Sequence, residues 1–321
     1  YRFPSVPDGL GVGLTTDLLA YQGRVVLDDL VSRDPWVYEA DFSQLPIDFY
    51  YYPATFRGAN GQTRLEIYYG LPASEMSRLP VNETTDRILL DRGLAIFDSL
   101  WVEQYRVEDQ LTFRTPSQKE IMENAFIPGM MAFDVKPGSN YLALQVRDVL
   151  SGKSQVYQQV VDVQDYSDRL KLMMSDIELA FWIAPTDQES EFTKKGLRVV
   201  PMASKAFRKD QTAFVFFEVY NLERNAFGQT RYTVSYVFQS QVKGIPPVRA
   251  LRGLGRMLKL REKSKEIAIS YEQTGSSSDD MTYVELDLHD VEPGGQKVRV
   301  ELTDELTGEK VRKEILFDIV P

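Results

Sequence analysis

Pro137-Gly138-Ser139-Asn140-Tyr141-Leu142-Ala143-Leu144-Gln145-Val146-Arg147-Asp148 returns 156 residues later, at 293 against 137, as Pro293-Gly294-Gly295-Gln296-Lys297-Val298-Arg299-Val300-Glu301-Leu302-Thr303-Asp304. The match runs on without a gap: Asp148-Val149-Leu150-Ser151-Gly152 answers Asp304-Glu305-Leu306-Thr307-Gly308, and Val161-Asp162-Val163 answers Phe317-Asp318-Ile319. Each copy reads as a strand, a short turn ending in glycine, and a return strand. The shared aspartate supplies a carboxylate that accepts backbone N–H bonds, and the shared glycine tolerates positive φ. A repeat this long means duplicated domains and not a solenoid of short units. Farther upstream, Leu65-Glu66-Ile67-Tyr68 resembles Phe217-Glu218-Val219-Tyr220 at a slightly different offset.

Outward from the repeat, alternation of apolar and polar residues dominates from about residue 47. Val284, Leu286 and Leu288 alternate with Tyr283, Glu285, Asp287 and His289, as in an antiparallel strand with one wet face. Val298, Val300 and Leu302, and then Ile315, Phe317 and Ile319, repeat the pattern. Ala59-Asn60-Gly61-Gln62 places Asn-Gly between apolar runs, the strongest short signal for a hairpin. Closely spaced strands with Gly and Pro between them point to sandwiches and not to βαβ units. The expected fold is all-β: two tandem antiparallel β-sandwiches of immunoglobulin or fibronectin type III character, at 47–164 and 169–321, joined by the short polar Gln164-Asp165-Tyr166-Ser167-Asp168. Residues 1–46 differ in character. Leu18 to Val31 suits a short amphipathic helix, with Gly9, Gly11, Gly13 and Pro35 marking irregular chain around it, and the segment reads as the end of something larger.

Composition removes several chemistries. The 321 residues hold no cysteine, which excludes disulfides, thiolate metal sites and a cysteine nucleophile. With one histidine, His289, a zinc site of two or more histidine ligands is impossible and a Ser-His-Asp triad has a single candidate base. At 43% hydrophobic and 26% charged the chain reads as globular, and no apolar run is long enough to span a bilayer as a helix.

Phe56-Arg57-Gly58 followed by Thr63-Arg64-Leu65-Glu66-Ile67-Tyr68-Tyr69-Gly70-Leu71-Pro72 resembles the C-terminal region of bacterial GWxTD-domain proteins. So does Gly196-Leu197-Arg198-Val199-Val200-Pro201 followed by Phe217-Glu218-Val219-Tyr220-Asn221-Leu222, so that the resemblance covers roughly residues 45–321. The motif that names the family is absent: the three tryptophans, Trp36, Trp101 and Trp182, lie in Pro-Trp-Val, Leu-Trp-Val and Phe-Trp-Ile. The resemblance implies an extracytoplasmic bacterial protein with no agreed enzymatic activity, and it carries over no site residue.

Candidate sites are few. The spacing of Gly9, Gly11 and Gly13 fits a turn better than a phosphate loop. His289 and Asp290 are adjacent in sequence, and neighbours on a strand point to opposite faces, which forbids an acid–base dyad. The acidic groups Asp28 and Asp29, Asp162, Asp165 and Asp168, and Asp279 and Asp280 invite a calcium site, but no calcium-loop spacing is present and acidic loops are expected at a net charge of −10. The sharper feature is basic. Between Lys243 and Lys265 eight basic residues face one acid, Glu262, a local +7 that leaves −17 on the rest of the chain. As a helix, 251–263 would line up Arg252, Arg256, Lys259 and Lys263 as a docking face for an acidic protein, an anionic polymer or a lipid head group. As a hairpin, the preferred reading because Gly253 and Gly255 weaken a helix, the same run complements the acidic body of the protein. Nucleic acid does not fit a pI near 4.9 with no aromatics in the basic stretch.

The expectation is therefore a non-catalytic structural or protein-interaction module of a bacterial envelope protein, with no cofactor and no metal. Its partner would be another protein or an envelope component, met through Arg252, Arg256, Lys259 and Lys263. The alternative is a carbohydrate-binding module, suggested by Phe49-Tyr50-Tyr51-Tyr52 and Tyr68-Tyr69, whose rings would stack on glycans.

Overall fold

The computed structural model describes residues 46–116, 125–240, 256–263, 266–289 and 291–321. Twenty strands and no helix occur among them. They are β1 (Tyr50–Arg57), β2 (Thr63–Pro72), β3 (Leu79–Pro80), β4 (Thr85–Asp98), β5 (Glu103–Pro116), β6 (Phe126–Val135), β7 (Gly138–Asp148), β8 (Ser154–Val163), β9 (Met173–Met174) and β10 (Glu178–Pro185). Then follow β11 (Thr193–Lys194), β12 (Leu197–Pro201), β13 (Ala206–Arg208), β14 (Thr212–Tyr220), β15 (Thr230–Ser240), β16 (Arg256–Lys263), β17 (Glu266–Gly275), β18 (Asp280–Asp287), β19 (Gly294–Asp304) and β20 (Lys310–Val320). The fold is all-β, and its described pairings are antiparallel except for β13 on β20. The proposed helix over 18–31, the glycines at 9–13 and the carboxylates of Asp28 and Asp29 lie outside the described residues.

The chain forms two compact units. One holds the described residues up to Phe49 with Leu71–Ile127 and Val135–Gln164; the other holds Tyr50–Gly70, Pro128–Asp134 and Asp165–Pro321. The contiguous segments 47–164 and 169–321 read from the repeat do not coincide with these units, for a reason visible in the side chains. On β1 and β2, Tyr52, Ala54, Phe56 and Tyr68 pack with Ala180, Val199, Val200, Phe214 and Phe216, so an apolar face early in sequence is buried against strands far downstream.

In the larger unit three sheets are layered. The order β11-β12-β10-β14-β18 forms the middle layer. One of its faces meets β13-β20-β19-β15-β17-β16 through Leu179, Val215, Phe217, Val284, Val298 and Phe317; its other face meets β1-β2-β6. A strand covered on both faces has no wet side, which is why β14 carries the unbroken apolar run Ala213-Phe214-Val215-Phe216-Phe217 where alternation would otherwise be expected. Along β18 and the two residues that follow it the expected alternation holds: Val284, Leu286 and Leu288 are buried and His289 is exposed. The Asn-Gly hairpin is present too, with Asn60 at φ 53° and Gly61 at φ 76° between β1 and β2.

The repeat is reproduced down to single hydrogen bonds. β5-β4-β7-β8 in the smaller unit and β17-β15-β19-β20 in the larger share one strand order. At the turn of the first copy, Asp148 Oδ1 accepts from Leu150 N at 2.9 Å and Oδ2 from Ser77 N at 2.6 Å; at the second, Asp304 Oδ1 accepts from Leu306 N at 2.8 Å and Oδ2 from Glu223 N at 2.8 Å. Gly152 and Gly308 close the turns at φ 73° and 77°, each donating N–H to the aspartate carbonyl at 2.8 Å. Both aspartates are fully buried, so each carboxylate replaces water for backbone donors that would otherwise lack a partner. Asp304→Ala is expected to destabilise the chain by about 2–4 kcal/mol, one to two orphaned buried donors, in urea-induced unfolding; a loss under about 0.5 kcal/mol would show that the turn does not depend on the carboxylate.

Candidate functional site

Three elements of the larger unit bring a lysine and two glutamates together. β2 supplies Glu66 and Tyr68, two residues apart and therefore on one face. β10 opens with Glu178, and the two-residue strand β11 ends in Lys194. All four side chains are buried. Lys194 Nζ donates to Glu66 Oε2 and Glu178 Oε2 at 2.5 Å each and to Tyr68 OH at 3.1 Å, while Tyr68 OH donates onward to Glu66 Oε2. Arg64 Nε donates to the second Glu66 oxygen at 2.7 Å. Around the ammonium stand aromatic rings: Phe56 at 4.0 Å and Phe216 at 5.2 Å from Nζ. Tyr52 lies beside Tyr68 at 4.9 Å between ring centroids, and its hydroxyl closes on the backbone of Leu179, accepting from N and donating to O.

Charge in this site is set by burial and by one cation shared between two carboxyls. Burial pushes the Lys194 ammonium down, but Glu178 and Glu66 together more than reverse it. Burial likewise raises Glu66, yet Lys194 and Arg64 overcome it and hold this carboxyl below its ordinary value. Glu178 is pushed up to about 7, by burial first and by the Glu66 charge beside it, with Lys194 offsetting only part. The two carboxyls titrate as a pair against one lysine, the first proton lost easily and the second held toward neutrality.

A second arrangement of the same type lies alongside. Glu218 and Tyr220 on β14 repeat the Glu-x-Tyr of β2, and Tyr220 OH donates to Glu218 Oε2 at 3.1 Å. Here the cation is Arg57, with Cζ 4.3 Å from the Tyr220 ring centroid, both Asp279 oxygens within 3.0 Å of Nη1, and Asn221 Oδ1 at 2.9 Å from Nη2. Between the two arrangements opens a cleft of about 380 Å³ lined by Arg57, Arg64, Lys194, Lys195, Glu218 and Arg169 among others. Its carboxylates are engaged locally, and those at the interdomain loop cap backbone donors: Asp165 accepts from Ser167 N, and Asp168 from Leu170 N and Lys171 N. Among the described residues no three acidic or histidine side chains converge to hold a metal.

Glu66, Glu178, Lys194 and Arg57 were not singled out as a site from sequence, although a signal was present. Glu66 and Glu178 are charges set within apolar strands, and a charge in a buried strand needs a partner. Of the basic residues that were singled out, Arg256, Lys259 and Lys263 lie on β16, paired antiparallel with β17, so 256–263 is a strand and not a helix; Arg252 lies outside the described residues. The tyrosines offered for glycan stacking are mostly spent on the interior: Tyr52, Tyr68 and Tyr69 are buried, and Tyr50 is about half exposed.

No family model matches the chain, and no curated protein is similar to it. Among solved structures, the C-terminal domain of the Streptococcus pyogenes antigen I/II-family protein AspA aligns over its whole length with 86% of this chain, at 9% identity and a TM-score of 0.25. The C-terminal domain of the Streptococcus agalactiae AgI/II polypeptide BspA aligns over its whole length with 84% of this chain, at 9% identity and a TM-score of 0.23. Escherichia coli alpha-2-macroglobulin activated by porcine elastase aligns over 23% of its own length with 88% of this chain, at 9% identity and a TM-score of 0.26.

Removing Lys194 leaves Glu178 buried without a cation and Glu66 with Arg64 alone. Lys194→Met is therefore expected to lower the unfolding free energy by about 3–5 kcal/mol, read from denaturant titration; a near-neutral result would show that the site opens to water without cost. The raised Glu178 has a defined sign. Below its ordinary 4.5 the carboxyl is protonated in folded and unfolded chain alike; between 4.5 and about 7 only the folded chain holds the proton, so stability falls as pH rises through that window. Glu178→Gln keeps an acceptor for Lys194 and should flatten this decline, which is on the order of 3 kcal/mol. Parallel pH–stability curves for the two proteins would refute the assignment.

Proposed function

We propose that this chain is a non-catalytic structural and protein-interaction module of a bacterial envelope protein, related to the C-terminal region of GWxTD proteins, and that it docks an extended acidic segment along β16. One observation supports this above the rest. Among the described residues β16 has a neighbouring strand on one side only, as the last member of β13-β20-β19-β15-β17-β16. Its sequence, Arg256-Met257-Leu258-Lys259-Leu260-Arg261-Glu262-Lys263, holds four basic residues and one acid, a net +3 in a chain of −10. A strand edge offers unpaired backbone groups to an incoming strand, and lysine and arginine on it repel copies of itself while attracting a segment of opposite charge. Long-range attraction then sets the encounter rate and partner choice more than the final affinity. The non-catalytic part of the reading is supported by the buried cluster: Lys194 and Glu66 bond each other, Tyr68 and Arg64, so their capacity is spent on holding the fold.

The test is fluorescence anisotropy with a labelled peptide of alternating Glu and Val, and with a Lys–Val peptide as control. Saturable binding of the acidic peptide alone is expected, falling with added salt and weakened at least about tenfold by Arg256→Glu, Lys259→Glu and Lys263→Glu together. Equal binding of both peptides, or an unchanged affinity in the substituted chain with an unchanged melting transition, would overturn the proposal.

A further inference from the structure

We infer that the cleft between the two Glu-x-Tyr arrangements is a binding site for a small molecule carrying two or more oxyanion groups, carboxylate or phosphate, held by Lys195 and Arg169. This inference does not rest on β16. The cleft's size, about 380 Å³, lies in the range that encloses small ligands. Its walls carry five cations against three carboxylates, and the balance stays positive when Glu178 behind Lys194 is added. In a chain of net −10 such an inversion of sign is a local feature of this cleft. The interior cations are committed: Lys194 to two glutamates, Arg57 to Asp279 and Asn221. The rim cations are not. Lys195 is about half exposed, and its contact with Glu218 is long at 3.4 Å. Arg169 is exposed on the loop 165–171.

Both rim residues are held in place by backbone geometry that their own side chains do not need. Lys195 and Gly196 form a two-residue turn between β11 and β12, with φ 46° and 83°, the backbone of a type I′ turn. Such turns favour asparagine before glycine, as the β1–β2 hairpin of this same chain has with Asn60-Gly61. A lysine there adopts a left-handed backbone that it disfavours, and its side chain projects at the cleft that it lines. Arg169 is presented by a loop that is bolted down on both sides. Asn221, itself at φ 65°, donates from Nδ2 to Asp168 O at 2.9 Å and Lys171 O at 2.6 Å, and Asp168 Oδ1 accepts from Leu170 N and Lys171 N. Two cations carried on two separately held turns that line one cleft, with the strong ion pairs beside them already satisfied, attract a ligand of two anionic ends and place its body over Tyr220 and Phe56.

The test is isothermal titration of the full chain with citrate and with pyrophosphate at physiological ionic strength. Saturable one-to-one binding of either is expected, and which of the two binds more tightly identifies the oxyanion as carboxylate or phosphate. The variant Lys195→Asn with Arg169→Ser should weaken it at least about tenfold, the loss of two charge-assisted contacts, without lowering the melting temperature, because asparagine suits the turn better than lysine. If the double variant melts early, Arg169→Ser alone, an exposed change, should still weaken binding severalfold. Arg256→Ser with Lys259→Ser should leave it unchanged. No saturable heat with either anion, an undiminished affinity in the cleft variants, or a loss confined to the β16 variant would each overturn the inference.

Discussion

The ammonium of Lys194 lies between two carboxyls contributed by strands more than a hundred residues apart in sequence, and the stacking of the middle sheet on the three-stranded sheet is tied to that contact. Glu66 belongs to the three-stranded sheet, Glu178 and Lys194 to the middle one, so the ion cluster crosses the layer boundary. A charge brought into such a place loses its water, and the loss is recovered only where every hydrogen-bonding capacity meets a partner. Tyr68, Arg64 and the rings of Phe56 and Phe216 complete that shell. Apolar contacts alone would let the two sheets slide by one register; a buried lysine that must meet two carboxyls admits one alignment.

The same constraint explains how two neighbouring arrangements differ in role. In both, a tyrosine bonded to a glutamate two residues before it lies against a cation. On β2 the glutamate and its lysine are buried at the wall of the cleft, and their charges are spent on one another and on Arg64. On β14 the cation is Arg57, its glutamate reaches the cleft, and loop 165–171 and the β11–β12 turn are fixed around the opening. The buried pair anchors the layers, and beside it Lys195 and Arg169 stand exposed at the rim of the same cleft.

Much of the framework is legible in the chain itself. The repeat of Asp and Gly twelve strands apart, the alternation from Tyr283 to His289 and the Asn-Gly at 60–61 each follow from local rules: a carboxylate beside free N–H groups, a two-residue period, a backbone that demands positive φ. Those rules act over a few residues, so the all-β class, the hairpins and even the paired aspartate turns could be read without coordinates. The Glu-x-Tyr echo was also visible, but not what it meant.

What only the tertiary structure decided is which distant residues meet. Nothing local says that Tyr52 and Phe56 pack on Phe214 and Phe216, so the unit boundaries departed from the contiguous ones that the repeat suggests. Nothing local distinguishes Lys194 from any other lysine; its role comes from two glutamates 128 and 16 residues away in sequence. Pairing across sheets is governed by burial and by the electrostatic cost of an unmatched charge, both of which depend on the whole packed interior, whereas turns and alternation are dictated by the backbone where they occur.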